Sequence, residues 1–325
     1  MKKILLFISY GTIITFQSAL AQLPDLPSGG ATTYDVRVLP AGSYVIAMDN
    51  TNQGNGTIFN MKAYGLVVYL LNNNVKIKWV IKPGKAKDGI DFSVNASRIV
   101  PTAAASVNYD FRAGPFVIFT SDTTGVAALA NTYNGVPNNG TDVSVYKTNA
   151  DVSVDVRYDL TGFKPKAAIL NDGTNASIHT GYMTAASIPT SNYALENTGA
   201  NLLTNCYTFA SEPHNTTSTS TLIGQIRTFI QSGGNFLAQC EAVRTYENDA
   251  TNGRFHSTRG DASAVFEKGA GGNTNATLTT NISFPNPDLS YTQFQGSYNG
   301  SLTGSLRNWR LTSGSAYHNN AHDHA

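Results

Sequence analysis

The sequence predicts an α/β protein with a doubly wound, mainly parallel sheet, followed by a β-rich C-terminal segment. Short continuous apolar runs bounded by polar turns are typical of strands that are covered on both faces. Apolar residues at helical spacing stand between several of these runs, and strands that alternate with helices indicate βαβ units. After about Gly260, helical spacing gives way to short strand-like runs between Gly, Asn and Pro turns. A chain of 325 residues is long enough to bury a substantial core.

The first part of the α/β region supplies alternating strands and helices. Apolar stripes predict two helices, at residues 59–71 and 126–133. Four strands are predicted here, buried at 44–48 and 116–119 and near a sheet edge at 75–81 and 152–156.

The clearest elements follow. Residues 166–170, 207–210 and 235–239 each read as a strand, and a helical stripe at 222–230 ends at Ser-Gly-Gly. We expect the three strands to lie parallel in one central sheet with the helix on its face. Beyond them, short strands are predicted at 276–284, 289–298 and 306–311.

Cys240 is the strongest candidate site residue, because ligands of such sheets bind at the carboxyl ends of the strands. It directly follows a predicted strand and precedes a predicted helix, and Ala238 and Ala242 are small, as the sharp turn of a nucleophile elbow requires. The N-terminus of a helix favours the thiolate form of a cysteine. The alternative is a buried, inert cysteine.

Other polar residues follow neighbouring strands. His214 and Glu212 are candidates for the base and the group that orients it, with Glu241 as a second acidic candidate beside the thiol. Asp172 and Gly173 are candidate ligand-binding residues. His179 is a further one, although a capping or surface role also fits it.

The two cysteines raise the alternatives of a disulfide and two free thiols. Cys206 precedes its strand and Cys240 follows one, so parallel strands would separate them by about five residues at 3.3 Å each. That exceeds the roughly 7 Å limit between bridged Cα atoms. We therefore expect two free thiols.

No metal and no cofactor is predicted. The C-terminal cluster of His318, His322, Asp323 and His324 could ligate a transition metal, but it lacks the scaffold of a structural site. The chain has neither a P-loop nor a GxGxxG motif between a strand and a helix, which argues against a nucleotide cofactor.

The N-terminus predicts export. Lys2 and Lys3 precede an apolar stretch at residues 4–16, and Ala19-Leu20-Ala21 fits a signal-peptide cleavage site. The apolar stretch is shorter than the roughly 20 residues of a membrane span, and no later stretch could cross a bilayer. A net charge of +1 and only 13% charged residues argue against nucleic acid as a partner. We expect a secreted, cell-surface or periplasmic protein.

Residues from about 41 to 250 resemble the class I glutamine amidotransferase-like superfamily. The segments that carry the resemblance are GSYVIAMD at 42–49, the helix and strand at 63–79, AILNDG at 168–173 and GGNFLAQCEAV at 233–243. The resemblance implies a flavodoxin-like fold with Cys240 at the elbow and Glu241 as its neighbour. The mature chain is also similar to the N-terminal region of large secreted surface proteins of gliding bacteria.

The resemblance further implies a downstream His paired with an acidic residue. None is evident before Ala325, unless His214 or His256 substitutes or the chain is truncated. The expected organisation is a signal peptide at 1–21, a leader at 22–40, the α/β domain at 41–260 and a β-rich segment at 261–325, with further domains expected downstream.

Three functions follow as hypotheses. In the first, the domain is a non-catalytic module of a surface protein that binds a small molecule or has a structural role. In the second, the protein is a thiol hydrolase acting on an amide or ester outside the cytoplasm, with Cys240 as nucleophile. In the third, aromatic residues of the β-rich segment, such as Tyr291, Tyr298 and Trp309, bind a surface glycan, although core packing is the favoured explanation of these rings.

Overall fold

The structure, a computed structural model, describes residues 35–54, 59–135, 141–171, 173–268, 274–278, 284, 286–296, 302–306 and 309–318. Its helices are α1 (Lys62–Asn72), α2 (Val126–Asn134), α3 (Ala176–Ala185), α4 (Ser220–Gln231) and α5 (Glu241–Asn248). The strands up to residue 159 are β1 (Asp35–Leu39), β2 (Tyr44–Ile46), β3 (Lys78–Val80), β4 (Ile90–Val100), β5 (Val107–Arg112), β6 (Phe116–Ile118), β7 (Val145–Thr148) and β8 (Val152–Asp159). The later strands are β9 (Ala167–Leu170), β10 (Tyr193–Glu196), β11 (Phe209–Glu212), β12 (Asn235–Ala238), β13 (Ser257–Thr258), β14 (Phe266–Lys268), β15 (Thr274–Leu278), β16 (Leu302–Leu306), β17 (Trp309–Leu311) and β18 (Ala316–Tyr317).

The N-terminal part of the described chain is an antiparallel sheet of eight strands. Its order is β1-β8-β3-β6-β2-β7-β4-β5, and every neighbouring pair runs antiparallel. β4 contacts β8 although four strands lie between them in this order, because the sheet curls into a half-barrel.

The curl gives the sheet two buried faces. On the outer face, alternate residues such as Ile46 and Ile118 pack beneath α1 and α2. On the inner face, Val45 and Val117 meet residues of more distant strands, among them Phe92 of β4. Both sides of β2 and β6 are therefore apolar, which explains why their sequences read as continuous apolar runs.

A buried ion pair stabilises one end of this sheet. The Lys85 ammonium lies 2.6 and 2.7 Å from the two carboxylate oxygens of Asp91, and both side chains are almost fully buried. Asp91 also accepts hydrogen bonds from the backbone N–H groups of Lys82 and Gly114. Such additional hydrogen bonds are what allow a buried charge pair to persist.

A smaller, parallel sheet positions the candidate site. Its order is β10-β9-β11-β12, and all of its neighbouring strands are parallel. Helices α4 and α5 bury their apolar faces against one side of this sheet, where Ile226 and Phe229 of α4 meet Ala210 and Phe236 of the strands. The prediction of three parallel strands at 166–170, 207–210 and 235–239, with a helix on their face, is confirmed.

The predicted fold class is wrong. The larger sheet is antiparallel, and the parallel sheet has only four strands, so the described chain is not a doubly wound, flavodoxin-like α/β domain. The expectation failed because a continuous apolar run shows that both faces of a strand are covered but does not show what covers them. In the N-terminal sheet, the inner face is covered by the curled sheet itself.

Several individual elements also differ from their predictions. The strand at 75–81 was expected near a sheet edge, whereas β3 lies inside the sheet between β8 and β6. The strand at 152–156 is also interior, because β8 pairs with both β1 and β3. The elements that were not predicted include strands β1, β4, β5, β7 and β10 and helix α3.

The segment after residue 260 contacts both sheets. Short antiparallel pairs join β13 to β18, β14 to β17 and β15 to β16. Residues 286–296 lie against the larger sheet, where Asp288 accepts a hydrogen bond from the Gly84 N–H and the Tyr64 hydroxyl donates to the Gln293 carbonyl. None of the helices in the described ranges is long and apolar enough to cross a membrane.

Candidate functional site

Cys240 stands at the sharp corner between β12 and α5. Its backbone angles are φ 54° and ψ −128°, and it is the residue immediately before the helix. This combination lies outside the regions that L-residues ordinarily occupy. Strained backbone of this kind persists only where surrounding contacts hold it, and it clusters at functional sites. The predicted strand-to-helix corner is present, and it is a strained one.

Hydrogen bonds on both sides hold this corner. Before it, the Gln239 N–H donates to the Glu212 carbonyl on β11. After it, the Ala242 N–H donates to the Gln239 carbonyl across the turn. The Cys240 carbonyl accepts a hydrogen bond of 3.2 Å from the indole nitrogen of Trp309 on β17. The fully buried Ala242 leaves space for the tight turn.

Glu212 and His214 lie at the same edge of the parallel sheet. Glu212 is the last residue of β11 and pairs in register with Ala238, two residues before Cys240. Its side chain is completely buried. The Nδ1 atom of His214 is also buried and makes no hydrogen bond in the described residues. In that part of the chain, no hydrogen bond joins the His214 imidazole to Glu212 or to the Cys240 thiol.

Gly173 lies where the loops after β9 and β11 meet. The Thr174 N–H donates to the His214 carbonyl, and a Cβ atom on Gly173 would lie 2.3 Å from that carbonyl oxygen. Only glycine therefore fits between these loops without displacing them. The adjacent candidate Asp172 lies outside the described residues.

His179 is buried on α3 and makes two hydrogen bonds. Its Nδ1 lies 2.9 Å from the Ser211 hydroxyl and its Nε2 lies 2.5 Å from the Gln239 side-chain oxygen. Gln239 is next to Cys240 in the chain, so His179 braces the strand that leads into the corner. His179 therefore neither caps a helix nor lies on the surface; its imidazole is buried and connects α3 to Ser211 and Gln239.

Glu241 is held by two cations. Its carboxylate lies 3.2 Å from the Arg244 guanidinium and 3.4 Å from the Lys268 ammonium, and its side chain is 4% exposed. Burial alone would raise the pKa of Glu241, but Arg244 and Lys268 together hold that pKa below its usual value. The Arg244 guanidinium also lies 5.6 Å from the centre of the Trp309 ring. This arrangement makes Glu241 a fixed anion at the start of α5.

Both cysteines are free thiols, as predicted. Cys206 is exposed in the turn before β11, whereas Cys240 is half-buried at the corner.

Trp309, Arg244 and Lys268 were not predicted as neighbours of Cys240. Trp309 is engaged internally by Cys240 and Arg244, which fits the packing explanation of its ring. Tyr291 is exposed, and Tyr298 lies outside the described residues. In the described ranges, no group of three or more His, Cys, Asp or Glu side chains is placed to hold a metal ion.

Comparisons with known proteins give no match: no family model matches the chain, and neither curated proteins nor solved structures match it significantly. The resemblance to the class I glutamine amidotransferase-like superfamily, and to surface proteins of gliding bacteria, is therefore wrong. The antiparallel half-barrel in the N-terminal part, where the resemblance implies a flavodoxin-like domain, overturns it structurally.

Proposed function

We propose that the protein acts outside the cytoplasm as a thiol-dependent hydrolase, with Cys240 as the nucleophile that attacks an amide or ester. The observation that carries this proposal is the backbone of Cys240, with φ 54° and ψ −128° at a strand-to-helix corner. A corner of this kind presents a nucleophile at the end of a sheet, directly before the first N–H groups of a helix. The signal-peptide pattern at residues 1–21 supports the extracytoplasmic location.

The residues of this edge have distinct roles in the proposal. The thiolate attacks the carbonyl carbon, a C–S bond forms, and the bond to the leaving oxygen or nitrogen breaks. N–H groups of the first turn of α5 stabilise the oxyanion. His214 takes the thiol proton and gives it to the leaving group. It then takes a proton from the water that attacks the thioester; the C–S bond breaks, and the proton returns to the sulfur, which regenerates the thiol. We assign the orienting role to Glu212, which ends β11 two residues before His214.

The first test compares the two thiols of the folded protein. Single-thiol variants, Cys206→Ser and Cys240→Ser, are treated with iodoacetamide at neutral pH. Cys206 is the more exposed thiol, so simple accessibility predicts that it reacts faster. A thiol activated by the helix N-terminus predicts the opposite order. Labelling of Cys240 at a rate equal to or below that of Cys206 contradicts the proposal.

The second test measures the chemistry. p-Nitrophenyl acetate is expected to release a burst of one nitrophenol per protein, followed by slower turnover. Cys240→Ser should abolish the burst, whereas Cys206→Ser should leave it unchanged.

A non-catalytic ligand-binding or structural module is the second candidate. It is favoured by one observation: within the described residues, no hydrogen bond connects the Cys240 thiol to an imidazole. A burst that requires Cys240 but is followed by no turnover over many hours supports this second candidate and contradicts hydrolysis.

A further inference from the structure

A small cleft lies beside α5, about one helical turn beyond Cys240. Its volume is about 250 Å³, below the range of roughly 300–1,000 Å³ that is usual for pockets of larger ligands. The cleft is open to solvent and lies between the segment after His214, α4 and α5, and α5 begins directly after the proposed nucleophile. Its lining includes Thr216, Ser218, Ile223, Arg244, Thr245 and Asp249.

Arg244 is the cation of this cleft. Its Nε donates to Glu241 at 3.2 Å, and its guanidinium carbon lies 5.6 Å from the centre of the Trp309 ring. In the described part of the chain, its two terminal nitrogens make no hydrogen bond, and its side chain is 35% exposed. A guanidinium bonded through its Nε keeps two terminal nitrogens with which it can bind a carboxylate at two points.

The charges around Arg244 favour a singly charged ligand. Asp249 lines the same cleft, and its Oδ1 accepts hydrogen bonds from the Ser220 hydroxyl and the Asn252 N–H, so its carboxylate is fixed in place. The two cations Arg244 and Lys268 are thus balanced by the two anions Glu241 and Asp249, which disfavours a ligand with two negative charges. Ile223 offers an apolar contact to a short carbon chain, and Thr216 offers a hydroxyl group, whereas the Thr245 hydroxyl donates to the Asn215 carbonyl.

We propose that this cleft binds a small monocarboxylate, with Arg244 as the residue that recognises it. Arg244 lies in the first turn of α5, three residues after Glu241, which directly follows Cys240. A ligand anchored by its carboxylate on Arg244 therefore lies about one helical turn from the Cys240 corner. The role of the cleft in placing an acidic amide or ester substrate rests on the proposed function, whereas the binding of the carboxylate does not.

Trp309 provides the readout. The chain has two tryptophans, and Trp79 lies in the larger sheet, stacked on Phe116. In a Trp79→Phe background, the emission therefore reports only on the ring that contacts Arg244. Sodium propionate and its neutral counterpart propionamide are titrated at constant ionic strength, which is maintained with sodium chloride.

Propionate is expected to change the Trp309 emission saturably, with an affinity at least about tenfold above that of propionamide. Arg244→Gln should weaken propionate binding about tenfold or more, and Arg244→Lys should weaken it less. Arg310→Gln is the matched control, since it removes a positive charge next to Trp309 from an exposed pair with Glu267. It should leave the affinity unchanged.

In the protein that retains Arg244, equal affinities for propionate and propionamide overturn the proposal, and so does the absence of a saturable change in emission. Unchanged propionate binding in a folded Arg244→Gln variant also overturns it. Cys240→Ser should bind propionate as before. If the cleft binds the carboxylate but Cys240 is unreactive, the proposed hydrolase function is contradicted. The assignment of the cleft as a carboxylate site is still supported.

Discussion

Because the backbone at Cys240 is strained, we expect a glycine variant at this position to be more stable than an alanine variant, the reverse of the usual order. Strain in a sparsely populated backbone region costs of order 1–3 kcal/mol. Glycine adopts such angles without that cost. It nevertheless lowers the free energy of unfolding by roughly 0.5–1 kcal/mol relative to alanine, because it loses more conformational entropy on folding. We therefore expect Cys240→Gly to unfold with a free energy about 1 kcal/mol higher than that of Cys240→Ala. Both variants lack the thiol, so the comparison isolates the backbone.

The assay is urea denaturation at neutral pH, followed by circular dichroism. The matched control is the same pair of substitutions at Thr228, an exposed residue within α4. In an ordinary helix, glycine is less favourable than alanine by about 0.8–1 kcal/mol, so the sign at Thr228 should be opposite. A Cys240→Gly variant that is less stable than Cys240→Ala, as at the control position, would refute the strain at the corner and with it the main support for a nucleophile there.

Three further outcomes are expected in the same denaturation assay. Asp91→Asn leaves the Lys85 ammonium buried without its charge partner and should lower the free energy of unfolding by about 3–5 kcal/mol; a loss below 1 kcal/mol would contradict the buried pair. Because the folded pKa of Glu241 lies below the ordinary value of 4.5, its stabilisation is complete above that value and is lost as the pH falls through the folded pKa. The deficit of Glu241→Gln at pH 7 should therefore shrink below about pH 4, and a deficit independent of pH would count against the ion pairs. Gly173→Ala forces a Cβ atom to within 2.3 Å of a carbonyl oxygen and should cost about 1–3 kcal/mol, whereas Gly181→Ala, in a helix with open space around it, should stabilise by roughly 0.5–1 kcal/mol.

Three of the four strands of the parallel sheet were predictable because their signals are local, whereas β10 was not predicted. The three strands are short apolar runs, their turns contain glycine, and α4 carries a clear apolar stripe between two of them. The antiparallel sheet was not predicted, because strand direction depends on pairings between residues far apart in the chain. A local signal for one missed strand was present, however: Phe92, Val94 and Ala96 alternate with polar residues along β4.

In the candidate site, too, features that depend on neighbouring residues were predicted and contacts between distant residues were not. The position of Cys240 between a strand and a helix follows from neighbouring residues, and small flanking alanines allow the turn. The Trp309 hydrogen bond to its carbonyl joins residues 69 positions apart, and no spacing rule indicates such a contact. His179 was identified as a candidate, but its partners Ser211 and Gln239 emerge only when α3 packs on the sheet.

The strained corner at Cys240 is held by contacts from several separate segments of the chain. A residue held at unfavourable angles relaxes unless the chain on each side of it is fixed. Gln239 is fixed by its backbone bond to Glu212 and by His179, while the far side of the corner is fixed by Trp309 from the β-rich segment. Since the Arg244 guanidinium lies 5.6 Å from the centre of the same indole, Trp309 contacts both the backbone of the proposed nucleophile and the proposed anchor of its substrate. We therefore expect a ligand that moves Arg244 to shift the indole that donates to the Cys240 carbonyl.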